Sequence, residues 1–110
     1  METYYNPADL KDFGNMGEDS PELWEKFMGW YGGVFAEGAL TAREKSLIAF
    51  GVALAVECPY CIDSFTRDLL SKGCTREQIT EAMHASAAIT GGATLAHGLQ
   101  AKNVMNKLEM

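Results

Sequence analysis

The sequence predicts an all-α protein: one domain over residues 1–110, built as a bundle of about five helices after an irregular segment at 1–19. Three observations predict this. Helix-capping signals recur along the chain, glycines follow at the expected helix ends, and apolar residues recur at helical spacing in between. No stretch has the alternating pattern of a convincing strand. Short connections between helices favour a bundle.

The helix starts carry recognisable capping signals. In two of them a capping residue precedes a proline at the first helical position, and in two a threonine stands three residues before Glu or Gln, the spacing of a capping box. These signals are Ser20-Pro21, Thr41 with Glu44, Cys58-Pro59, and Thr75 with Gln78. They predict helices over 21–36, 42–56, 59–72 and 76–90.

Glycines mark the predicted helix ends. Gly38 and Gly73 follow the first and third helices, and the pair Gly91-Gly92 predicts a turn before a fifth helix over 93–108. Cys74 and Ile79 flank the fourth helix start at the spacing of a hydrophobic staple, which explains Cys74 by packing.

The apolar pattern predicts how the helices pack. The third helix should turn Ile62, Phe65 and Leu69 inward and its charged residues, Asp63, Arg67 and Asp68, outward. The segment 47–56 is apolar on every side, so its helix should be buried nearly all round. The first helix has two apolar stripes. Together they exceed what one small bundle can hide, which predicts a homo-oligomer.

Composition and charge exclude several classes of protein. The formal net charge is −6 and no dense basic cluster exists, so nucleic acid and anionic membranes are not expected partners. The sequence has no run of about 18 apolar residues, so no transmembrane helix is predicted. The polar start Met1–Tyr5 does not have the pattern of a secretory signal, which predicts a cytoplasmic protein.

The Cys-Pro-Tyr-Cys motif at residues 58–61 is the main functional signal. Cys58 is the predicted N-cap of the third helix, and Cys61 its third residue. Free backbone N–H groups and the helix dipole at such a site lower the pKa of a cysteine below its usual value of about 8.5. Two thiols one turn apart can also form and reopen a disulfide. In a reducing compartment this pattern indicates thiol–disulfide redox chemistry.

Other interpretations of the motif were weighed. Two buried small side chains would explain little of the helix-start placement. A zinc site would need two more ligands, and only Cys74, His84 and His97 are candidates, on separate elements. We therefore expect no metal and no cofactor. Residues with candidate supporting roles beside the thiols are Tyr60, Glu57 and His97.

From about residue 40 to 100 the chain resembles the carboxymuconolactone decarboxylase-like family, which includes the alkyl hydroperoxide reductase D peroxidases. The resemblance is carried by Leu-Thr-Ala-Arg-Glu-Lys at 40–45, the apolar helix that leads to residues 58–66, Gly-Cys-Thr-Arg-Glu-Gln-Ile at 73–79, and Gly91-Gly92-Ala93. The whole chain looks closest to a subgroup labelled arsenosugar biosynthesis-associated peroxidase-like.

The resemblance implies an all-helical protomer in a trimer or hexamer, working as a cofactor-free peroxidase. In the peroxidase members the second cysteine, here Cys61, attacks the peroxide, and the first, here Cys58, resolves the sulfenic acid as a disulfide. A dithiol protein then reduces it. Decarboxylase activity is not expected, because family members without the redox pair perform it.

Two positions depart from the peroxidase pattern. The relay glutamate and histidine of those enzymes are replaced by Ser46 and Phe65, so the activity implied is a weak one. The sequence predicts a thiol-dependent peroxidase or disulfide oxidoreductase acting on a hydroperoxide or a related soft electrophile. The alternative is a non-catalytic oligomer that captures a metalloid or metal with Cys58 and Cys61.

Overall fold

The computed structural model describes residues 6–110. Over this range the chain is helical and contains no strand. A 3-10 helix over Pro7–Gly17 precedes four α-helices: α1 (Pro21–Phe35), α2 (Ala42–Ala55), α3 (Pro59–Ser71) and α4 (Arg76–Leu108). The predicted all-α fold is confirmed. No described helix is both long and apolar enough to cross a membrane.

The prediction of an irregular segment over residues 1–19 is wrong for Pro7–Gly17, which forms the 3-10 helix. Asn6 caps its start, since the side chain accepts a hydrogen bond from Ala8 N at 3.1 Å. Phe13 packs edge-on against Trp24 of α1, with ring centroids 5.2 Å apart. Asn6-Pro7 is therefore one more capping signal of the kind seen elsewhere in the chain. The polar start Met1–Tyr5 lies outside the described residues.

The predicted turn at Gly91-Gly92 is also wrong, because α4 runs unbroken for 33 residues. Glycine lowers helix propensity by about 1 kcal/mol relative to alanine, but it keeps its N–H and so removes no hydrogen bond. No proline stands nearby, and the hydroxyls of Thr90 and Thr94 donate to carbonyl groups of the preceding turn instead of capping a new helix. The i→i−4 ladder therefore continues through both glycines. The predicted fourth and fifth helices are one helix.

The other predicted helix ends hold, with one difference. Thr41 and Thr75 both form complete capping boxes. Gly73 has a φ of +84°, which is the left-handed conformation typical of the residue after a helix. Ser20 is the N-cap of α1, but its side chain makes no capping hydrogen bond.

The core lies where α2 packs between α3 and α4. Phe50, Leu69, Cys74 and Ile79 form one buried cluster, so the predicted staple pair Cys74 and Ile79 is buried together. The prediction that α2 is buried all round is wrong for this chain. Ile48, Val52 and Val56 are more than half exposed, because no helix of the described chain covers that face.

The C-terminal half of α4 extends away from this core. Every residue from Ala87 to Met110 is exposed, including large apolar side chains such as Leu95 and Leu99. The molecule measures 59 × 40 × 38 Å. Its radius of gyration is 18.9 Å, against the ~13 Å expected for a compact chain of this length. The fold therefore leaves much apolar helix surface without a partner in the chain.

Candidate redox site

The cysteine pair lies at the tight turn between α2 and α3. Glu57 adopts a φ of +56°, which reverses the chain direction directly after α2. Cys58 follows in extended conformation as the N-cap of α3, and Pro59 is the first helical residue. The predicted placement of both cysteines at a helix start is confirmed.

Cys58 and Cys61 are joined as a disulfide in the structure, with their Cα atoms 5.3 Å apart. That separation falls within the range that a disulfide spans without backbone movement. The Cys58 sulfur also accepts a hydrogen bond from the Cys61 backbone N–H at 3.3 Å. Both residues are half-buried. The helix start thus holds the two sulfurs at bonding distance and directs an N–H group at the first of them.

The two cysteines differ in their access to a neighbouring cavity. Cys61 and Phe65 of α3 line a cavity of about 870 Å³, which we call the apolar cleft; Cys58 is not among its lining residues. The exposed face of α2, with Ile48 and Val52, forms another wall. The cleft therefore gives an apolar molecule access to the Cys61 side of the pair.

Aromatic side chains of α1 build the remaining wall of the apolar cleft. Tyr31 contacts Phe27 and Phe35, with ring centroids 5.7 and 4.8 Å apart. Phe35 in turn contacts Phe65 of α3 at 5.5 Å. These ring contacts attach α1 to α3 and fix Tyr31 in the cleft that Cys61 also lines.

Tyr31 and Lys45 supply polar groups to this cleft. Burial, and then the negative charge of Asp68, raise the pKa of Tyr31 above its usual value of 10. Its phenol therefore keeps its proton at neutral pH. Lys45 is half-buried as a residue, and its ammonium donates a hydrogen bond to the Ala36 carbonyl at 2.6 Å at an exposed position.

The position of the family's relay glutamate holds a different polar network. Ser46 is only 1% exposed, and its hydroxyl donates to Asp68 and accepts from Lys72 Nζ at 2.8 Å. Lys72 also pairs with Asp68 at 2.6 Å. Asp68 is thus turned towards α2, which corrects the prediction that it points outward. The reason is that the Ser46 hydroxyl of α2 donates a hydrogen bond to the Asp68 carboxylate of α3.

The pKa of Asp68 is lowered by this network. Burial is the largest single influence and raises the pKa, but three other influences together outweigh it. They are the hydrogen bonds from Lys72 and Ser46 and the positive charge of Lys72. The network therefore joins α2 to α3 through an ionised carboxylate.

The other candidate residues lie in different places. Glu57 is exposed in the turn, and Tyr60 is half-buried in the first turn of α3, but neither lines the apolar cleft. His84 and His97 are exposed on α4, and His97 Nδ1 lies 3.3 Å from Gln100 Nε2. The structure does not bring His97 to the cysteines within the protomer. Supporting roles for Glu57, Tyr60 and His97 stay predictions.

Cys74 is buried and accepts a hydrogen bond from Arg43 Nε at 3.1 Å. It lies in the core and apart from the cysteine pair, as the packing interpretation predicts. Across residues 6–110, no three His, Cys, Asp or Glu side chains are grouped so that they could hold a metal ion.

Sequence reasoning missed Tyr31, Lys45 and the inward position of Asp68. Asp68 and Lys72 stand at i, i+4 spacing, which signals an ion pair on a helix but not its contact with Ser46. Tyr31 lies at helical spacing within the apolar stripes of α1, so its sequence pattern predicts packing and no polar role. Nothing local in the sequence places Tyr31 or Lys45 in a cleft with Cys61.

The family model for the carboxymuconolactone decarboxylase family matches residues 21–102. The chain belongs to the carboxymuconolactone decarboxylase family. The match includes α1, the cysteine turn and most of α4, so the predicted resemblance is confirmed at the level of the family.

Two bacterial proteins are similar in sequence. One, from Paracoccus denitrificans, is named uncharacterized protein 4 in cox locus; it is 41% identical over 76 residues, which cover 69% of this chain and 68% of that protein. The other is an uncharacterized protein of Cupriavidus necator, 30% identical over 82 residues, which cover 74% of this chain and 73% of that protein.

Two solved structures share the carboxymuconolactone decarboxylase fold. A protein from Methanobacterium thermoautotrophicum superposes with a TM-score of 0.72 and 32% identity, over 76% of this chain and 93% of that chain. A carboxymuconolactone decarboxylase family protein from Legionella pneumophila, in its apo form, has a TM-score of 0.67 and 26% identity, over 91% and 89% of the two chains. These matches do not confirm the arsenosugar-associated subgroup, which stays a prediction.

Proposed function

We propose that this family member is a thiol-disulfide oxidoreductase that reduces hydroperoxides, with Cys61 as the attacking residue and Cys58 as the resolving one. The observation that carries the proposal is the asymmetry of the pair: both sulfurs are within bonding distance, but only Cys61 lines the apolar cleft. A substrate in the cleft therefore meets Cys61 first.

The chemistry proceeds in three balanced steps. The Cys61 thiolate attacks the terminal peroxide oxygen, the O–O bond breaks, and Cys61 becomes a sulfenic acid while the substrate leaves as an alcohol. The Cys58 thiolate then attacks the Cys61 sulfur, the S–O bond breaks as the disulfide forms, and the departing hydroxide takes a proton from solvent to leave as water. An external dithiol protein reduces this disulfide and is itself oxidised.

The hydrogen bond to Cys58 supports its resolving role. The Cys61 N–H points at the Cys58 sulfur, where it stabilises negative charge at the start of α3. A thiolate at Cys58 is needed in the second step, when it attacks the oxidised Cys61. The same N–H group stabilises Cys58 as the leaving thiolate if the dithiol partner attacks Cys61.

Tyr31 is the residue we propose as proton donor to the departing alkoxide. It lines the apolar cleft with Cys61, whereas the two positions of the family's relay hold Ser46 and Phe65. Ser46 is occupied by Asp68 and Lys72, and Phe65 has no proton to give. A phenol that stays protonated at neutral pH can act as a general acid.

We also propose a cellular location and an assembly state for the protein. A disulfide that must be reduced in every cycle suits the reducing cytoplasm. A homo-oligomer, which the resemblance specifies as a trimer or hexamer, would cover the apolar surface that the protomer leaves exposed.

The test uses the wild type and the variants Cys58→Ser and Cys61→Ser, mixed rapidly with an organic hydroperoxide in the presence of a sulfenic acid trap. We expect the wild type to lose two thiols per peroxide, Cys58→Ser to accumulate sulfenic acid, and Cys61→Ser to do neither. Cys74→Ser is the matched control, because Cys74 is a buried cysteine away from the pair; it should behave like the wild type.

Two results would contradict the proposal. Sulfenic acid on Cys61→Ser instead of Cys58→Ser would exchange the two roles. No peroxide-dependent loss of thiols in any variant, together with tight retention of arsenite or zinc by the wild type, would favour the non-catalytic metalloid- or metal-binding alternative.

A further inference from the structure

We infer that the apolar cleft binds a long-chain hydroperoxide that carries a carboxylate, and that Lys45 binds this carboxylate at the end of the cleft away from Cys61. The inference rests on the proposed peroxidase function and adds the chemical class of the substrate. Its basis is the juxtaposition, in one apolar cavity, of a reactive sulfur and a lysine that has no acidic partner among residues 6–110.

Lys45 is the only described residue lining the cleft that carries a charge at neutral pH. Its ammonium has three donors, and one is used by the Ala36 carbonyl. The ion pairs of the described chain join Arg67 to Asp63 and Lys72 to Asp68, so no carboxylate among these residues lies within 4.0 Å of Lys45. The ammonium lies at the solvent-exposed rim of the apolar cleft, where its two remaining donors can bind a carboxylate through charge-assisted hydrogen bonds.

The two functional ends of the cleft are separated along α2. Lys45 lies in the first turn of α2, whereas Val56, directly after the helix, leads into the turn that carries the cysteines. Val56 lies eleven positions after Lys45, which is about 16 Å at the helical rise. Between them Ile48, Val52 and Ala53 line the same cleft. A ligand that reaches both ends needs a hydrocarbon chain in the middle.

This arrangement favours a fatty acid hydroperoxide over smaller oxidants. Hydrogen peroxide has no apolar surface to bury, so the walls contribute nothing to its binding. A short uncharged hydroperoxide would gain from the walls but leave Lys45 unpaired. Only an amphiphilic chain uses the walls, the ammonium and the sulfur together.

Direct binding tests the inference without requiring turnover. Oleate and methyl oleate are titrated below their micellar concentrations into the Trp24→Phe protein, in which the cleft residue Trp30 is the single tryptophan fluorophore. We expect saturable binding of oleate, weaker by about tenfold in Lys45→Gln, where glutamine keeps a donor for Ala36 but loses the charge. Lys45→Arg should restore binding, and methyl oleate should bind Lys45→Gln as well as it binds the wild type.

Lys107→Gln is the matched control, because it removes one positive charge from the far end of α4. It should leave oleate binding unchanged. An equal loss in Lys107→Gln, or no loss in Lys45→Gln, would overturn the inference. So would a Trp30 signal that does not respond to oleate but changes with protein concentration, since a second copy of the chain would then fill the cleft.

Kinetics separate this inference from the proposed function. With linoleate hydroperoxide as substrate, Lys45→Gln should raise KM about tenfold at similar kcat, while the methyl ester hydroperoxide shows no change. Lys45-dependent oleate binding without oxidation of the thiols by any hydroperoxide would contradict the peroxidase and leave the carboxylate site standing. Equal KM values for the acid in Lys45→Gln and the wild type would contradict the carboxylate site alone.

Discussion

Ser46 and Asp68 form a hydrogen-bonded network at the position where the resemblance leads us to expect a relay glutamate. Where the peroxidases carry a relay glutamate, the buried Ser46 hydroxyl binds Asp68 and Lys72 instead. The hydroxyl is too small to reach a substrate and is fully engaged between two helices. At this scale the network has a structural role, and we propose Tyr31 as the proton donor instead.

The Asp68 network should make stability depend on pH. Because the pKa of Asp68 is lowered in the folded protein, its contribution is present above the unfolded value near 3.8 and is lost as the pH falls through the folded value. We expect Asp68→Asn to lower the free energy of unfolding at pH 7 by about 1–2 kcal/mol. Denaturant melts from pH 7 to pH 2 should show this difference shrinking below pH 4.

Asp63→Asn is the control for the Asp68 experiment. Asp63 forms the same kind of i, i+4 pair, but its partner Arg67 is 76% exposed, and such surface pairs contribute little. A pH-independent difference for Asp68→Asn, or an equal effect in both variants, would contradict the stabilising role assigned to Asp68.

Tyr31→Phe tests the proton donor. Removing the hydroxyl should lower the rate of Cys61 oxidation by about 10²-fold, which is the usual contribution of a general acid. The ring contacts with Phe27 and Phe35 remain, so the melting temperature should change little. Stopped-flow oxidation with an alkyl hydroperoxide measures the effect, and Tyr60→Phe, next to Cys61 but outside the cleft lining, should be far less affected. Equal rates in Tyr31→Phe and the wild type would contradict the assignment.

At the scale of the elements, the tight turn between α2 and α3 positions the two cysteines. Two residues of the α-hairpin turns adopt left-handed backbone conformations: Glu57 between α2 and α3, and Gly73 between α3 and α4. Glycine adopts this conformation without steric cost, whereas other residues are disfavoured by about 1–2 kcal/mol.

Substitutions at these two positions should have opposite effects. Glu57→Gly should leave stability unchanged or raise it by up to about 1 kcal/mol, because the strain at φ +56° is relieved, partly offset by the greater freedom of the unfolded chain. Gly73→Ala should lower it by about 1 kcal/mol, although no atom lies within 4 Å of the new methyl group. Urea melts measure both, and a loss of stability above 1 kcal/mol in Glu57→Gly would contradict the strain argument.

The continuous α4 gives a second prediction at this scale. A Cβ atom at Gly91 or Gly92 would meet nothing within 4 Å in the protomer. Gly91→Ala should therefore stabilise the helix by up to about 1 kcal/mol, seen as a higher helical signal and melting temperature. Destabilisation together with a smaller oligomer would mean that a second chain packs closely against this glycine.

At the scale of the whole molecule, the elongated shape is what we would expect of one subunit of the homo-oligomer that the sequence predicts. The distal half of α4 exposes large apolar side chains, and so do Leu23 and Met28 of α1, which do not line the apolar cleft. Large apolar side chains exposed on a monomer are common at homo-oligomer interfaces. We expect the oligomer that the sequence predicts to use these surfaces, which leaves the cleft beside Cys61 open to substrate.

Charges placed on the distal half of α4 should dissociate the oligomer. We expect the wild type to sediment as a multimer of the 12.0 kDa chain, and Leu95→Glu with Leu99→Glu to sediment as a smaller species. Both leucines are more than 60% exposed in the protomer, so the substitutions cost little within the chain itself. Sedimentation velocity checks this, with Lys102→Glu as the charge control. A wild type that is already monomeric would contradict the prediction.

The sequence by itself determined the helix boundaries of α1 to α3, the caps and the place of the cysteine pair at a helix start. These features depend on neighbouring residues, so a local pattern is enough to predict them. The Asn6-Pro7 pair carries a capping signal of the same local kind for the 3-10 helix. The Gly91-Gly92 pair does not end α4, because glycine lowers helix propensity without removing a hydrogen bond.

Only the tertiary structure decided which cysteine lines a cleft, that Asp68 points inward, and that Tyr31 and Lys45 share a cavity with Cys61. Each depends on how α1, α2 and α3 pack against one another, over sequence separations that reach 30 positions for Tyr31 and Cys61. Helical periodicity gives the face on which a residue lies, but not the neighbour that this face meets. The physical reason is that apolar contacts are non-directional, so the pattern of one helix does not specify its partner.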